Sequence, residues 1–390
     1  MASAEVPFRV GEQVTGEYFT DRSDEVARIL RAMREPTRLL VYGERRQGKS
    51  SAIRQAGVRF MGEDGMLVWV DVATASGLDD LARRLVASVP YRWVWREELQ
   101  ARLVRASLRV EARADPNGNP VLSLVLGGGH GRAGEARDRE DLERAVRVLD
   151  DLAAERKLRL SVVLDEFQQV TSLADRGAWI LRDLLQTTHH LSWLCAGSRT
   201  ALIRALIGAE GPFHRFFEPL NVREIDPDHL ATWIESRLEG AGVTPEEGLG
   251  RRIIGAVGSR TQDCLQLARA VYTTGSASGA ASGDLVAVAL RQSVLEDSDR
   301  FQTTWSDLAP SQQAVLRAVA AGVEQLYSRA SAMEFGLPTA GSISRAVRAL
   351  VDRGYLTADE TTRVDDPFFR EWILLRAMPD GIPYGGDRPS

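Results

Sequence analysis

Eight consecutive residues, Gly43-Glu44-Arg45-Arg46-Gln47-Gly48-Lys49-Ser50, carry the densest chemistry in this sequence. They follow a short apolar run, Leu39-Leu40-Val41-Tyr42, and lead into Ser51-Ala52-Ile53-Arg54-Gln55, which can be helical. A G-x-x-x-x-G-K-[ST] spacing between a strand and a helix is that of a phosphate-binding loop. The spacing has a physical reason. Gly43 and Gly48 let the backbone curl until successive N–H groups point inward, and the helix that follows adds the positive end of its dipole. Lys49 is expected to place its ammonium on the β- and γ-phosphates of a nucleoside triphosphate, and the Ser50 hydroxyl to ligate Mg²⁺. Of the 49 lysines and arginines only Lys49 and Lys157 are lysine. A lysine kept at this place marks a need for a compact, flexible charge that a planar guanidinium would not meet.

A second element with chemistry is Leu160-Ser161-Val162-Val163-Leu164-Asp165-Glu166, an apolar run that ends in two carboxylates. At such a strand end an aspartate holds Mg²⁺ through water, and the neighbouring glutamate polarises the attacking water. Lying about 115 residues after the phosphate loop, Asp165 and Glu166 are assigned those roles. Leu191 to Ser198 is a further buried-strand run. Parallel strands present their C-terminal ends to one crevice, so Ser198 is expected near the γ-phosphate. Gly211-Pro212-Phe213-His214-Arg215-Phe216 then sets an arginine among aromatics on a loop, just before a fifth strand from Phe217 to Ile225.

The strands and helices that must carry these residues alternate. Tyr18 to Glu25 leads into Val26, Ile29, Leu30 and Met33 at helical spacing, with Asp21 or Ser23 as the expected cap. Met66 to Asp71 reads as a buried strand, and Leu78, Leu81, Leu85 and Val89 as one face of a helix. Such alternation indicates a parallel sheet covered on both faces. Residues 91–140 break the rhythm. Ser107 to Arg113 alternates with period two, Asp115 to Pro120 is turn chemistry, and Val121 to Leu126 returns, which makes an inserted hairpin. Trp93 and Trp95 are read as packing on that hairpin. Gly127-Gly128-Gly129 opens a flexible stretch before a helix from about Asp141 to Arg156.

From Pro227 to about Thr274 the pattern is helical only, with Leu230, Trp233, Ile234 and Leu238 on one stripe. Ser276 to Gly283 reads as a linker or exposed turn. Between Phe301 and about Leu375 the order is helix, short helix, helix and hairpin, with Ile343, Val347, Leu350 and Val351 on the inner stripe of the third helix. That order is a winged helix-turn-helix. Residues 379–390 read as a frayed tail.

Composition bounds the rest. At 390 residues the chain suits two or three domains, and 44% apolar with 26% charged residues is ordinary for a soluble globular protein. A net charge of −5 gives no global field toward nucleic acid or membrane, so any DNA contact must come from a local patch. Cys195 and Cys264 lack metal-ligand spacing and read as buried thiols of a reducing, cytoplasmic compartment. The adjacent His189 and His190 are expected to cap a strand. No stretch has the length of a membrane span.

Together these motifs resemble the archaeal-type ATPase family, within the AAA+ and signal-transduction ATPase group. The match comprises Phe19 through Glu25, the Arg45-Arg46 pair, Asp165-Glu166-Phe167-Gln168, Gly197-Ser198 and the closing Asp366-Pro367-Phe368-Phe369-Arg370-Glu371-Trp372. It runs from about Pro7 to about Leu375. The resemblance implies an α/β, five-stranded parallel P-loop core of the AAA+/ASCE kind with an inserted hairpin over residues 1–225. A helical lid over 226–298 and a winged helix over 299–378 would follow. It implies ATP or ADP with Mg²⁺ held by Gly43 through Ser50, by Ser51 and by Arg22. Asp165 would join Ser50 on the metal. Glu166 would act as base, Ser198 as a first sensor, Arg260 as a second sensor and Arg215 on a neighbour's nucleotide. Glu44 stands where relatives commonly have proline, and Gly258-Ser259-Arg260-Thr261 replaces a frequent glycine–x–proline turn.

The reading that follows is an ATP-hydrolysing switch, slow or regulated, with the winged helix as output and a homo-oligomer or client protein as partner. Two alternatives stand beside it. One is a non-enzymatic, nucleotide-dependent regulator whose winged helix docks protein or clamps the lid. The other is a DNA loader like a replication initiator, which shares the domain order. In the candidate recognition helix, Ser342 to Arg353, Arg345 and Arg348 are the residues placed to meet duplex DNA.

Overall fold

A parallel sheet must bury both faces, and the strands of this chain carry side chains for that. In the computed structural model, which describes residues 6–89, 93–114, 120–125, 132–198, 201–358 and 361–378, the chain divides into two units. One comprises residues 11–225, and the other residues 226–378 together with 6–10. The 115–119 turn, Gly127 to Gly129, the acidic wing tip Asp359-Glu360 and the tail from 379 lie outside the described residues.

The first unit holds strands β1 (Arg38–Gly43), β2 (Met66–Asp71), β3 (Val110–Ala114), β4 (Pro120–Leu124), β5 (Leu160–Asp165), β6 (Leu191–Ser198) and β7 (Glu218–Asn221). Five of them form one sheet in the order β2-β5-β6-β1-β7, and every pairing in it is parallel. β6 thus stands between the strand that leads into the phosphate loop and the strand that ends in Asp165. All residues of β5 and β6 are buried, as strands covered on both faces require. The helices of this unit are α1 (Ser23–Arg34), α2 (Lys49–Gly62), α3 (Leu78–Ala87), α4 (Trp93–Arg105), α5 (Arg132–Arg156), α6 (Gly177–Thr187) and α7 (Ala201–Ile207). Val26, Ile29, Leu30 and Met33 of α1 pack with Ala52, Ile53, Ala56 and Phe60 of α2 on one face of the sheet. Leu81 and Leu85 of α3 join Leu142, Val146 and Leu149 of α5 in the other core.

Several local expectations change. Neither Asp21 nor Ser23 caps α1. Arg22 holds the N-cap position in the left-handed region, and no side chain caps the helix. Trp93 and Trp95 open α4, a helix that the period-two reading of this stretch does not include, and α4 buries Leu99 and Leu103 one turn apart. The hairpin itself is β3 with β4, antiparallel, pairing Val110 with Leu124. Helix α5 begins at Arg132, well before the expected Asp141, and β7 is shorter than 217–225. The strand cap at His189 and His190 comes from elsewhere: the Asp150 carboxylate accepts from the backbone N–H groups of His189, His190 and Leu191 at 2.8–3.3 Å.

The second unit is helical apart from short strands. It contains α8 (Pro227–Gly240), α9 (Leu249–Val257), α10 (Thr261–Gly275) and α11 (Gly283–Glu296). The short pair β8 (Thr244–Pro245) and β9 (Ala280–Ala281) ties these helices together. Asp226 caps α8, accepting from Asp228 N and His229 N at 3.0 Å, with Pro227 in the first turn where a missing N–H costs nothing. Phe8 from the N-terminal segment sits edge-on to Trp233 of α8, with ring centroids 6.0 Å apart. Then come α12 (Ser298–Ser306), α13 (Pro310–Ala320), α14 (Arg329–Phe335), α15 (Ala340–Asp352), the hairpin β10 (Leu356–Ala358) with β11 (Thr362–Val364), and α16 (Pro367–Trp372). Ile343, Ala346 and Leu350 of α15 are buried, while Val347 and Val351 are half-buried. Phe301 and Trp305 of α12 pack on Phe369 and Trp372 of α16, with stacked rings at 5.4 Å between Phe301 and Phe369. An aromatic joint of this kind holds by area and ring geometry together.

Candidate functional site

At the C-terminal edge of the sheet the ends of β1, β5 and β6 come level. Gly43 stands opposite Ser198, and Leu164, one residue before Asp165, stands opposite Cys195. From Gly43 the chain turns through the phosphate loop into α2. Gly43 has no room for a side chain, because a Cβ there would lie 2.2 Å from the carbonyl oxygen of Val222. Gly48 has φ +79°, a conformation that suits glycine, and it opens α2 directly. Arg46 shares the left-handed region at φ +65°, so the loop curls twice.

Inside that curl the Lys49 ammonium donates to the carbonyls of Gly43 at 3.3 Å and Glu44 at 2.6 Å. Burial pushes its pKa down to about 8; the Glu166 and Asp165 carboxylates oppose the shift, and Arg45 and Arg22 add to it. A desolvated ammonium whose hydrogen bonds go to carbonyl oxygens suits a phosphate anion. Ser50 donates from Oγ to Asp165 Oδ2 at 3.0 Å, across a separation of 115 residues. Asp165 is buried, and its pKa is raised by desolvation first, with the charges of Glu166 and Asp71 adding and the hydrogen bonds from Ser50 and Glu166 N opposing. A hydroxyl and a carboxylate in contact form an oxygen donor set that suits Mg²⁺, and the desolvated ammonium beside them suits a phosphate chain. The residues fit that group.

Glu166 adopts φ +51° at the strand end, and its backbone N–H donates to Asp165 Oδ1 at 3.0 Å. Its carboxylate accepts from the side-chain amide of Gln168, a buried residue. Ser198 is buried at the end of β6. Around the loop, Glu44 and Arg46 are half-buried and Arg45 is exposed, whereas Gln47 is buried and donates from Nε2 to Glu224 Oε1 at 3.4 Å. The Ser51 hydroxyl faces a different neighbour and accepts from the backbone N–H of Val14 at 3.2 Å. Gly16 N donates to Gln55 Oε1 at 2.9 Å, so residues 14–16 lie along the first turns of α2. Arg22 is buried and donates from Nη2 to the Gln47 carbonyl at 2.8 Å.

Two residues of this neighbourhood carry no role in the sequence reading. Asp71 ends β2 in register with Asp165, and its signal was an acid closing an apolar strand. Gln168 supports Glu166 from two residues on, which only the tight turn after β5 makes feasible.

The remaining candidates belong to other elements. Arg215 is exposed, with φ +51°, on the loop between α7 and β7. The rings of Phe213, Phe216 and Phe217 beside it pack at 5.1–5.6 Å from one another and anchor that loop. Arg260 belongs to the second unit. It precedes α10, is buried, and donates from Nη1 to the Asp365 carbonyl at 2.7 Å and to Asp365 Oδ1 at 2.9 Å. Arg345 and Arg348 are exposed on α15, where Arg345 Nη2 donates to Ser342 Oγ at 3.2 Å. Among the described residues no group of His, Cys, Asp and Glu forms a metal cluster, and no helix is long and apolar enough to cross a membrane.

Comparison with known proteins places this architecture. A family model described as a probable winged helix domain matches residues 299–375. No curated protein sequence matches the chain. Among solved structures, the chain is similar to a Walker-type ATPase of Pyrococcus abyssi, with TM-score 0.63, 15% identity and coverage of 94% of this chain and 99% of that one. It is similar to the ORC2 protein of Aeropyrum pernix, solved as ADPNP and ADP complexes, with TM-score 0.55, 16% identity and coverage of 91% and 93%. The ORC1 protein of the same organism, solved in complex with DNA, aligns with TM-score 0.50, 14% identity and coverage of 93% and 94%. The chain shares the fold of these solved structures: a five-stranded parallel core, and a second unit of helices that ends in a winged helix.

Proposed function

We infer that this protein binds and hydrolyses ATP and that its nucleotide state governs the winged helix. The observation that carries the reading is the meeting of Lys49, Ser50 and Asp165 at one end of the sheet, with the Ser50–Asp165 hydrogen bond at 3.0 Å. In this reading the Lys49 ammonium neutralises the phosphate chain. Ser50 and Asp165 would hold Mg²⁺, which when bound supplies positive charge to the β- and γ-phosphate oxygens. Glu166 accepts the proton of the attacking water as the new bond to the γ-phosphorus forms and the bond to the ADP oxygen breaks. Ser198 lies at the strand end where its hydroxyl can report the γ-phosphate. The direct test is phosphate release from ATP by the full chain, with Mg²⁺ and after chelation. A full chain that binds no nucleotide, or that releases phosphate equally after chelation, ends the reading.

Arg215 is assigned to the nucleotide of a second copy. Its exposure on an aromatic-anchored loop supports an outward role. An arginine that reaches the γ-phosphate in trans contributes about 10³-fold or more to the rate. Arg215→Ala is expected to keep ATP affinity and lose turnover, and mixing it with Lys49→Ala subunits to restore part of the activity. Mixed assemblies that stay inactive would make Arg215 a structural residue.

The winged helix is assigned duplex DNA as a partner, through Arg345 and Arg348. The exposed pair on α15 supports this, and the related ORC1 protein was solved with DNA. Binding of this kind weakens steeply with salt, because released counterions drive it. Arg345→Ala with Arg348→Ala is expected to weaken a low-salt DNA shift and flatten its salt dependence while basal ATPase stays unchanged. A second reading has its own support: Tyr327, whose hydroxyl meets Ser344 Oγ of the same helix, and Met333 on α14 are 61% and 79% exposed and suit a protein partner. Wild type that shifts no DNA at low salt with either ATP or ADP would favour that reading.

A further inference from the structure

Arg22 is out of place for a residue before a helix. It is 4% exposed and sits with Asp21 in the left-handed region, at φ +63° and +58°. For residues with a Cβ that conformation costs about 1–2 kcal/mol each, and burial of a guanidinium adds a desolvation cost. Desolvation lowers its pKa, while Glu25 and Asp21 offset part of the effect. Such costs persist where surrounding contacts over-determine the geometry. Here the contacts are few and specific: Nη1 meets Glu25 Oε1 at 3.5 Å, and Nη2 donates to the Gln47 carbonyl at 2.8 Å.

The second contact bears on the site. The Gln47 carbonyl and the Gly48 N–H belong to one planar, trans peptide unit and point in opposite directions. Holding the carbonyl against Arg22 therefore turns the Gly48 N–H away from Arg22. The Gln47 side chain is held as well, by its contact with Glu224. The residue before Gly48 is thus fixed at both its backbone oxygen and its amide group.

We propose that Arg22, oriented by Glu25, is a positioning residue that sets the Gln47–Gly48 peptide so that the Gly48 N–H faces the phosphates of the nucleotide. The proposal rests on the reading of this site as a nucleotide site. Arg22 acts through the loop backbone and not by touching the ligand.

The experiment is calorimetry of MgATP and MgADP on the full chain, together with the ¹⁵N–¹H resonance of Gly48, for wild type, Arg22→Met, Arg22→Lys and Glu25→Gln. A charge-assisted hydrogen bond to a backbone carbonyl is lost in Arg22→Met, so affinity for both nucleotides is expected to fall about ten- to a hundredfold. The nucleotide-induced shift of the Gly48 amide should shrink with it. Arg22→Lys should recover part of both, because it keeps a buried donor. A purely structural arginine would lower the melting temperature but leave both readouts of the folded protein in place. If Arg22→Met does not fold, Glu25→Gln carries the test, with a several-fold loss of affinity and a displaced Gly48 resonance. Wild type that binds while the folded variants match it in affinity and Gly48 shift overturns the positioning role alone. Wild type that binds no nucleotide overturns the reading of the site and this role with it.

Discussion

Lys49→Ala is expected to remove tight ATP binding while leaving the empty protein folded. The ammonium is the one lysine charge in the loop, and it lies where burial has stripped its water and left two carbonyls as partners. A phosphate chain would replace those dipoles with full negative charge. Hydrogen bonds to charged groups contribute about 1.5–3 kcal/mol each, so loss of the ammonium should raise the dissociation constant by about a hundredfold or more. The apo variant should melt no lower than wild type, because the fold no longer has to desolvate a cation at that place. Calorimetry with MgATP and a melting curve with and without nucleotide check both halves. A variant with wild-type affinity would move the phosphate site elsewhere.

Glu166→Gln is expected to do the opposite kind of damage. The amide keeps the size of the carboxylate and can still meet Gln168, so the turn at φ +51° and its contacts survive. It cannot take a proton from water. Loss of a positioned general base costs about 10²–10⁴-fold in rate, with nucleotide affinity retained. Single-turnover phosphate release separates the two quantities. A variant that hydrolyses ATP at the wild-type rate would assign the base to another residue.

These expectations rest on residues that were legible in the chain because they are local. Gly43 through Ser50 carry their own strand, turn and helix signals within a dozen positions, and Asp165-Glu166 closes an unbroken apolar run. What stayed hidden depends on distant partners. No pattern within β1, β5 or β6 says that β6 lies between the other two; that order is set by packing across the whole unit. Arg22 could be flagged by resemblance, yet its hydrogen bond to the Gln47 carbonyl follows from a left-handed backbone that no residue type there announces. Helix α4 is hard to read from its residues because it carries few apolar side chains at helical spacing beyond Leu99 and Leu103, one turn apart. The early start of α5 was missed because Arg132 to Glu140 is mostly polar and offers little apolar periodicity.

The Arg260–Asp365 pair has a consequence for how this chain can be recombined. Family boundaries place the winged helix at residues 299–375, and an engineer would cut there to graft a different output onto the protein. The cut would strip a guanidinium that is 9% exposed of its carboxylate partner, which itself is 11% exposed and lies 105 residues further along. Removing one member of a buried ion pair costs about 3–5 kcal/mol, a large part of the stability of a small helical unit. It would also uncover Phe369 and Trp372 from Phe301 and Trp305 if the seam fell between α12 and α16. The piece that can be transplanted whole is therefore 226–378 together with residues 6–10, whose Phe8 packs on Trp233. Exchange of outputs between proteins built this way is easier when the helices before the winged helix travel with it.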